Sequence, residues 1–80
     1  MSHKNVVSLI KLKSGQSGVV VGLEAGRGAT HRLESMGIRI GKNIKKISGM
    51  FFHGPVMVQV GHTQVGIGYG MASKVLVEVA

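Results

Sequence analysis

The chain has 80 residues, a mass of 8.4 kDa and a net charge of +7. It contains neither cysteine nor aspartate, which excludes disulfides, thiolate zinc sites, iron–sulfur clusters and any catalytic triad that needs aspartate. No uncharged stretch approaches the roughly 20 apolar residues of a membrane-spanning helix, and the N-terminus lacks the apolar core of a secretion signal. We therefore expect one soluble, intracellular domain, since domains typically have about 50–250 residues.

The apolar residues favour strands over helices. Valine and isoleucine contribute 18 residues, whereas leucine contributes only 5. Because β-branched side chains pack well in sheets and lose rotamer freedom in helices, the composition predicts an all-β domain before any pattern is considered.

The first regular strand pattern lies in residues 18–24, after a segment, 6–12, that shows no clean period. Alternation with a period of two indicates a strand with one buried face. On this pattern the predicted core side carries Val19, Val21 and Leu23.

Residues 29–36 are the only segment with helical spacing. Ala29, Leu33 and Met36 fall on one face of a helix. Gly37 follows directly, where a helix commonly ends on a left-handed residue. A helix this short is unstable alone, so we expect its apolar face to pack on a sheet.

The second half of the chain contains four further predicted strands, over residues 43–48, 56–60, 63–69 and 75–79. In the first of them Ile44 and Ile47 have opposite parity, which predicts a bulge or a strand end between them. Gly61-His62 is predicted to form a two-residue hairpin turn between strands 56–60 and 63–69. The pattern amounts to five or six strands and one short helix, and a small barrel is the economical way to bury strand faces in so short a chain.

The excess positive charge lies in two segments, residues 1–13 and residues 39–46. Elsewhere the basic and acidic residues balance. Such a charge attracts nucleic acid, an anionic membrane surface or an acidic protein surface. Alternatively, the basic residues form a solvated face that keeps a small domain soluble. The sequence leaves open whether the two segments form one basic face or two.

Several short motifs, taken in order, resemble the FeoA family, whose members are small cytoplasmic partners of the ferrous iron transport system. The motifs are Leu9-x-x-Leu12-x-x-Gly15, the string from His31 to Gly41, Gly54-Pro55-Val56, and Val65-Gly66-Ile67 followed by Ala72, Val75 and Val77. The resemblance covers residues 8–79. The chain departs from the family pattern in three places. His31 stands where an arginine is usual, and no acidic residue precedes Pro55. Residues 68–71 replace the charged stretch that is usual before Ala72.

The resemblance implies a single SH3-like barrel of five to six strands over residues 1–80, with residues 1–7 as a loose lead. It also implies a cytoplasmic protein that is not an enzyme and has no cofactor. Its expected partner is the membrane Fe(II) transporter FeoB, contacted at its cytoplasmic GTP-binding region or membrane-proximal part. The protein would then lie at the inner membrane through this partner, in contact with the anionic membrane surface, as a monomer or weak homo-oligomer.

The candidate site residues are few. We predict no catalytic residue, and His53 and His62 are the weak candidates for a metal site because they flank strand 56–60. The candidate partner-binding residues are Arg32, Lys45, Lys46, Met50, Phe51 and Phe52. Arg32 can alternatively pair with Glu24 or Glu34, and the two phenylalanines can alternatively fold over the barrel mouth.

Two other binding functions compete with the leading hypothesis. A basic SH3-like domain can bind nucleic acid, but Phe51, Phe52 and Tyr69 are a thin supply of aromatic side chains for stacking on bases. Recognition of proline-rich peptides needs an aromatic-lined groove, for which the chain has the same shortage. Sequence alone therefore favours a protein-interaction module.

Overall fold

The computed structural model describes residues 5–48 and 54–79. Six strands and two helices form there, together with a 3₁₀ turn at Leu9–Lys11. The strands are β1 (Asn5–Ser8), β2 (Ser17–Leu23), β3 (Asn43–Ser48), β4 (Val56–Val60), β5 (Thr63–Ile67) and β6 (Val75–Val79). The helices are α1 (Arg27–Ser35) and α2 (Tyr69–Ala72).

All six strands belong to one antiparallel sheet with the order β1-β6-β2-β3-β4-β5. The sheet is not closed, so β1 and β5 are its edges. The predicted all-β class, with five to six strands and one short helix near residues 29–36, is confirmed. Asn5, Val6 and Val7 pair with β6 rather than forming part of a loose lead.

The core is built from alternate residues of the strands together with one side chain from α1. Val75, Val77 and Val79 are buried on β6, as their spacing predicts. Val56 and Val58 on β4 and Leu33 on α1 are fully buried as well. In the described residues the same cluster also contains Leu9, Leu12, Val20, Ile38, Ile44, Ile67 and Ala72.

The predicted core face of β2 is wrong at its centre. Val20 is fully buried, whereas Val21 is 37% exposed. The register of β2 against β6 shifts between Val20 and Gly22. Because a bulge inserts one extra residue into a strand, the inward parity changes along β2, and simple alternation could not identify the correct face.

Of the two alternatives predicted for β3, a bulge or a strand end, the structure has a bulge. Pairing between β3 and β4 shifts between Lys46 and Ser48, so Ile47 is the extra residue. Before the bulge, Ile44 and Lys46 face inward and Asn43 and Lys45 face solvent.

Helix α1 ends as its sequence predicts. Gly37 has φ of +92°. Its amide donates to the Glu34 carbonyl at 3.0 Å, and the Ile38 amide donates to the Leu33 carbonyl at 3.0 Å. These two bonds form a Schellman motif, which brings Ile38 back into the core next to Leu33.

The strand predicted over residues 63–69 is shorter than expected. It ends at Ile67, and Tyr69 begins the four-residue helix α2. The Ala72 amide donates to the Gly68 carbonyl at 2.8 Å, and Ala72 is fully buried. Local helical hydrogen bonds thus replace the pairing that the alternating pattern predicted.

Candidate partner-binding surface

The chain just after Lys13 pairs with the second basic segment of the sequence. The Gly15 amide donates to the Lys46 carbonyl at 2.6 Å, and the Lys46 amide donates to the Gln16 carbonyl at 2.9 Å. These bonds tie the segment after Lys13 to β3. The backbone that follows Lys13 is therefore joined directly to the strand that carries Lys45.

Lys46 itself does not contribute to an exposed basic surface. It is only 5% exposed. Its Nζ donates to the Leu12 carbonyl at 2.7 Å and to the Ile10 carbonyl at 3.3 Å. The prediction that Lys46 contacts a partner is corrected, because its ammonium group closes the end of the 3₁₀ turn instead.

Substitution of Lys46 separates its hydrogen bonds from the packing of its aliphatic stem. Lys46→Met keeps the stem and is expected to lower the free energy of unfolding by about 1–2 kcal/mol, because one buried and one partly buried carbonyl lose their donor. Lys46→Ala also removes the packed stem and is expected to cost about 3 kcal/mol, in the range of buried side-chain truncations. Urea denaturation monitored by circular dichroism measures both values. Equal stability of Lys46→Ala and wild type would contradict this role.

Three other cations of the second basic segment, Arg39, Lys42 and Lys45, are exposed. Arg39 also donates from Nε to the Glu34 carbonyl at 3.3 Å, where a cation is favoured by the helix dipole. The long stretch from Ser35 to Val77 contains no acidic residue. Lys45 on β3 and the two cations just before this strand therefore carry positive charge that no carboxylate of β3, β4 or β5 neutralises.

Polar side chains form a row across this surface. In the strand registers Ser17 lies opposite Lys45, Lys45 opposite Gln59, and Gln59 opposite Gln64. Directly opposed residues of neighbouring strands have side chains on the same face. The row therefore crosses four strands of the sheet on its solvent side.

Two adjoining depressions mark the same surface. One has a volume of about 200 Å³ and is lined by Ser17, Asn43, Ile44, Lys45, Gln59 and Gly61. The other has a volume of about 310 Å³ and is lined by Gly37, Lys42, Asn43, Val60 and Gly61. Because they share Asn43 and Gly61, we treat them as one groove, which we call the β3–β4 groove.

The other predicted contact residues lie in different parts of the chain. Arg32 is exposed on α1, and within the described residues no ion pair joins it to Glu24 or Glu34. Met50, Phe51 and Phe52 lie outside the described residues, so their roles stay predictions. Among the predicted contact residues that the structure describes, Lys45 alone lines the groove.

Sequence reasoning missed Lys42, Asn43 and Gln59 as groove residues. Lys42 belonged to the recognised basic segment, so its charge was visible. Asn43 and Gln59 could be found only through the pairing of β3 with β4 and the turn at Gly61, which no local pattern encodes.

The described part of the chain is expected to hold few candidate metal ligands. Residues 5–48 and 54–79 contain no cluster of three or more His, Cys, Asp or Glu side chains. His62 is exposed on the β4–β5 turn, and its predicted companion His53 lies outside the described residues. No helix within these ranges is long and apolar enough to span a membrane.

Comparison with known proteins gives a consistent family relationship. The model of the FeoA domain family matches residues 7–79. A Methanocaldococcus jannaschii protein named as an Fe(2+) transport protein A is 41% identical over 66 residues, which cover 82% of this chain and 78% of that protein.

Solved structures show the same relationship and a wider likeness of fold. The crystal structure of an iron uptake regulatory protein, FeoA, has a TM-score of 0.83 at 34% identity and covers 94% of this chain and 99% of that chain. A manganese-dependent transcriptional repressor has a TM-score of 0.86 at 18% identity, and the match covers 100% of this chain but 45% of the repressor. At that identity the second likeness shows the fold alone.

Proposed function

The chain belongs to the FeoA domain family, and on that basis we propose that it modulates the ferrous iron transporter FeoB by direct protein contact. The contact is made with the cytoplasmic GTP-binding region of the transporter or with its membrane-proximal part. The family is associated with Fe(2+) transport, and a domain of this size acts on a transporter through its surface.

The observation that carries this proposal is the exposed basic surface formed by β3 and the segment just before it. Arg39, Lys42 and Lys45 are exposed in residues 39–45, and the chain between Ser35 and Val77 has no acidic residue. Complementary charge steers partners together and selects against wrong ones. An acidic surface on the transporter is the partner that this chemistry favours.

Catalysis by the chain itself has little support. The described residues hold no cluster of three or more side chains that could bind a metal. We place the protein in the cytoplasm, at the inner membrane through its transporter partner, as a monomer or weak homo-oligomer.

A binding titration tests the proposal. Fluorescently labelled protein is titrated with purified FeoB, both as the full-length transporter in detergent and as its soluble cytoplasmic region. We expect saturable binding that weakens as the salt concentration rises, because exposed charges are screened beyond about 10 Å at 0.1 M ionic strength.

The same titration with mixed-sequence RNA is the comparison. Weak RNA binding that disappears with salt is expected from charge alone. No binding to either form of FeoB at low salt, or tighter salt-resistant binding to RNA, would contradict the proposed function.

A further inference from the structure

We propose that the β3–β4 groove binds an extended acidic segment of the partner, with carboxylates at alternate positions of that segment. This inference rests on the proposed contact with the transporter. It adds the place on this chain where the contact occurs and the chemistry that the partner must supply there.

The groove offers donors and lacks carboxylates. Lys42 and Lys45 supply ammonium groups, Asn43 an amide and Ser17 a hydroxyl. An ammonium group has donors and no acceptor, and its hydrogen bonds to a carboxylate are stronger than bonds between neutral groups. Among the described lining residues there is no acid to compete, so the groove favours an anionic ligand.

The arrangement of the donors favours an extended peptide. Asn43 and Lys45 are two residues apart on the solvent face of β3, so they are separated by about 7 Å along the strand. Alternate side chains of an extended segment have the same spacing and share one face. Two carboxylates at positions i and i+2 can therefore reach both residues at once.

The groove also has room for a main chain. Gly61 has φ of +62°, and a side-chain atom added there would meet nothing within 4 Å. Gly37 lines the groove as well and has no side chain to fill it. The described lining residues include no aromatic side chain, so bases of a nucleic acid would find no surface for stacking.

A peptide titration tests this inference separately from the proposed function. The probe is a seven-residue peptide in which serine alternates with glutamate, added to ¹⁵N-labelled protein. Amide shifts are expected at Asn43, Lys45 and Gln59. A peptide of the same composition with its glutamates contiguous is expected to bind several-fold more weakly.

Lys45→Glu is expected to weaken binding of the alternating peptide at least about tenfold, because like charges then face each other. Lys74→Glu is the matched control. It makes the same change of charge, but the Lys74 carbonyl accepts from the Glu24 amide, at the far end of β2 from Ser17.

Three results would overturn the inference. The first is amide shifts at residues outside the groove, and the second is equal affinity for the two peptides. The third is displacement of the peptide from the groove by single-stranded RNA that binds more tightly. If the alternating peptide does not bind while FeoB still binds in the titration above, the groove is not the contact site and the proposed function stands.

Discussion

Gly18→Ala is expected to lower the free energy of unfolding by about 3 kcal/mol, the upper part of the range for overpacked sites. A side-chain carbon at residue 18 would overlap the main-chain carbonyl oxygen of Glu78 and lie 2.5 Å from Cγ1 of Val77. Because β6 lies between β1 and β2 and is buried through Val75, Val77 and Val79, it cannot move away without disturbing the core.

This loss is large for a chain of this size. Natural domains are stable by about 0.05–0.15 kcal/mol per residue, so 3 kcal/mol is a substantial part of the whole. Thermal unfolding measured by circular dichroism should show a markedly lower Tm. Gly28→Ala is the control, since nothing lies within 4 Å of the added carbon and alanine favours a helix by about 0.5–1 kcal/mol over glycine. Equal stability of the two variants would contradict the close approach at Gly18.

The double variant Lys42→Glu/Lys45→Glu is expected to weaken binding to FeoB at least about 100-fold. Each substitution reverses one exposed charge that lines the groove, and opposing like charges in an interface costs several kcal/mol. Both residues are exposed, so the fold should tolerate the change. Most surface substitutions alter stability by less than about 0.5 kcal/mol.

Lys74→Glu again serves as the control, with one reversed charge where the double variant has two, and should retain most of the affinity. If each reversed charge costs the same binding free energy in both variants, net charge rather than this surface governs binding. If the double variant binds like wild type at low salt, the basic surface has no part in the contact.

Much of the fold could be predicted from the sequence because its signals are local. The valines of β4 and β6 alternate strictly, and Gly37 follows the apolar positions of α1 at the place where a left-handed residue ends a helix. Each of these patterns depends on residues that are close together in the chain.

The errors have a common physical cause, which is pairing between distant segments. The inward face of β2 changes because its register against β6 shifts after Val20. The end of β5 at Ile67 and the helix at Tyr69 depend on where pairing with β4 stops. Neither is encoded in the alternation of the segment itself.

The candidate site could be predicted only in part for the same reason. The basic segment around Lys45 could be identified from its lysine and arginine content alone. The inward direction of Lys46 was not, because it depends on carbonyls of Ile10 and Leu12 that lie more than 30 residues earlier in the chain. The groove itself exists only because Asn43, Gln59 and Gly61 come from different elements.

Iron uptake in living cells tests most directly the claim that this protein acts on the transporter through its basic surface. Cells that keep FeoB but lack this protein are supplied with wild type, Lys42→Glu/Lys45→Glu or Lys74→Glu at equal protein levels, and Fe(II) uptake is measured. We predict that wild type and Lys74→Glu change uptake alike and that the double variant behaves like the empty control. Wild-type uptake with the double variant would contradict the account.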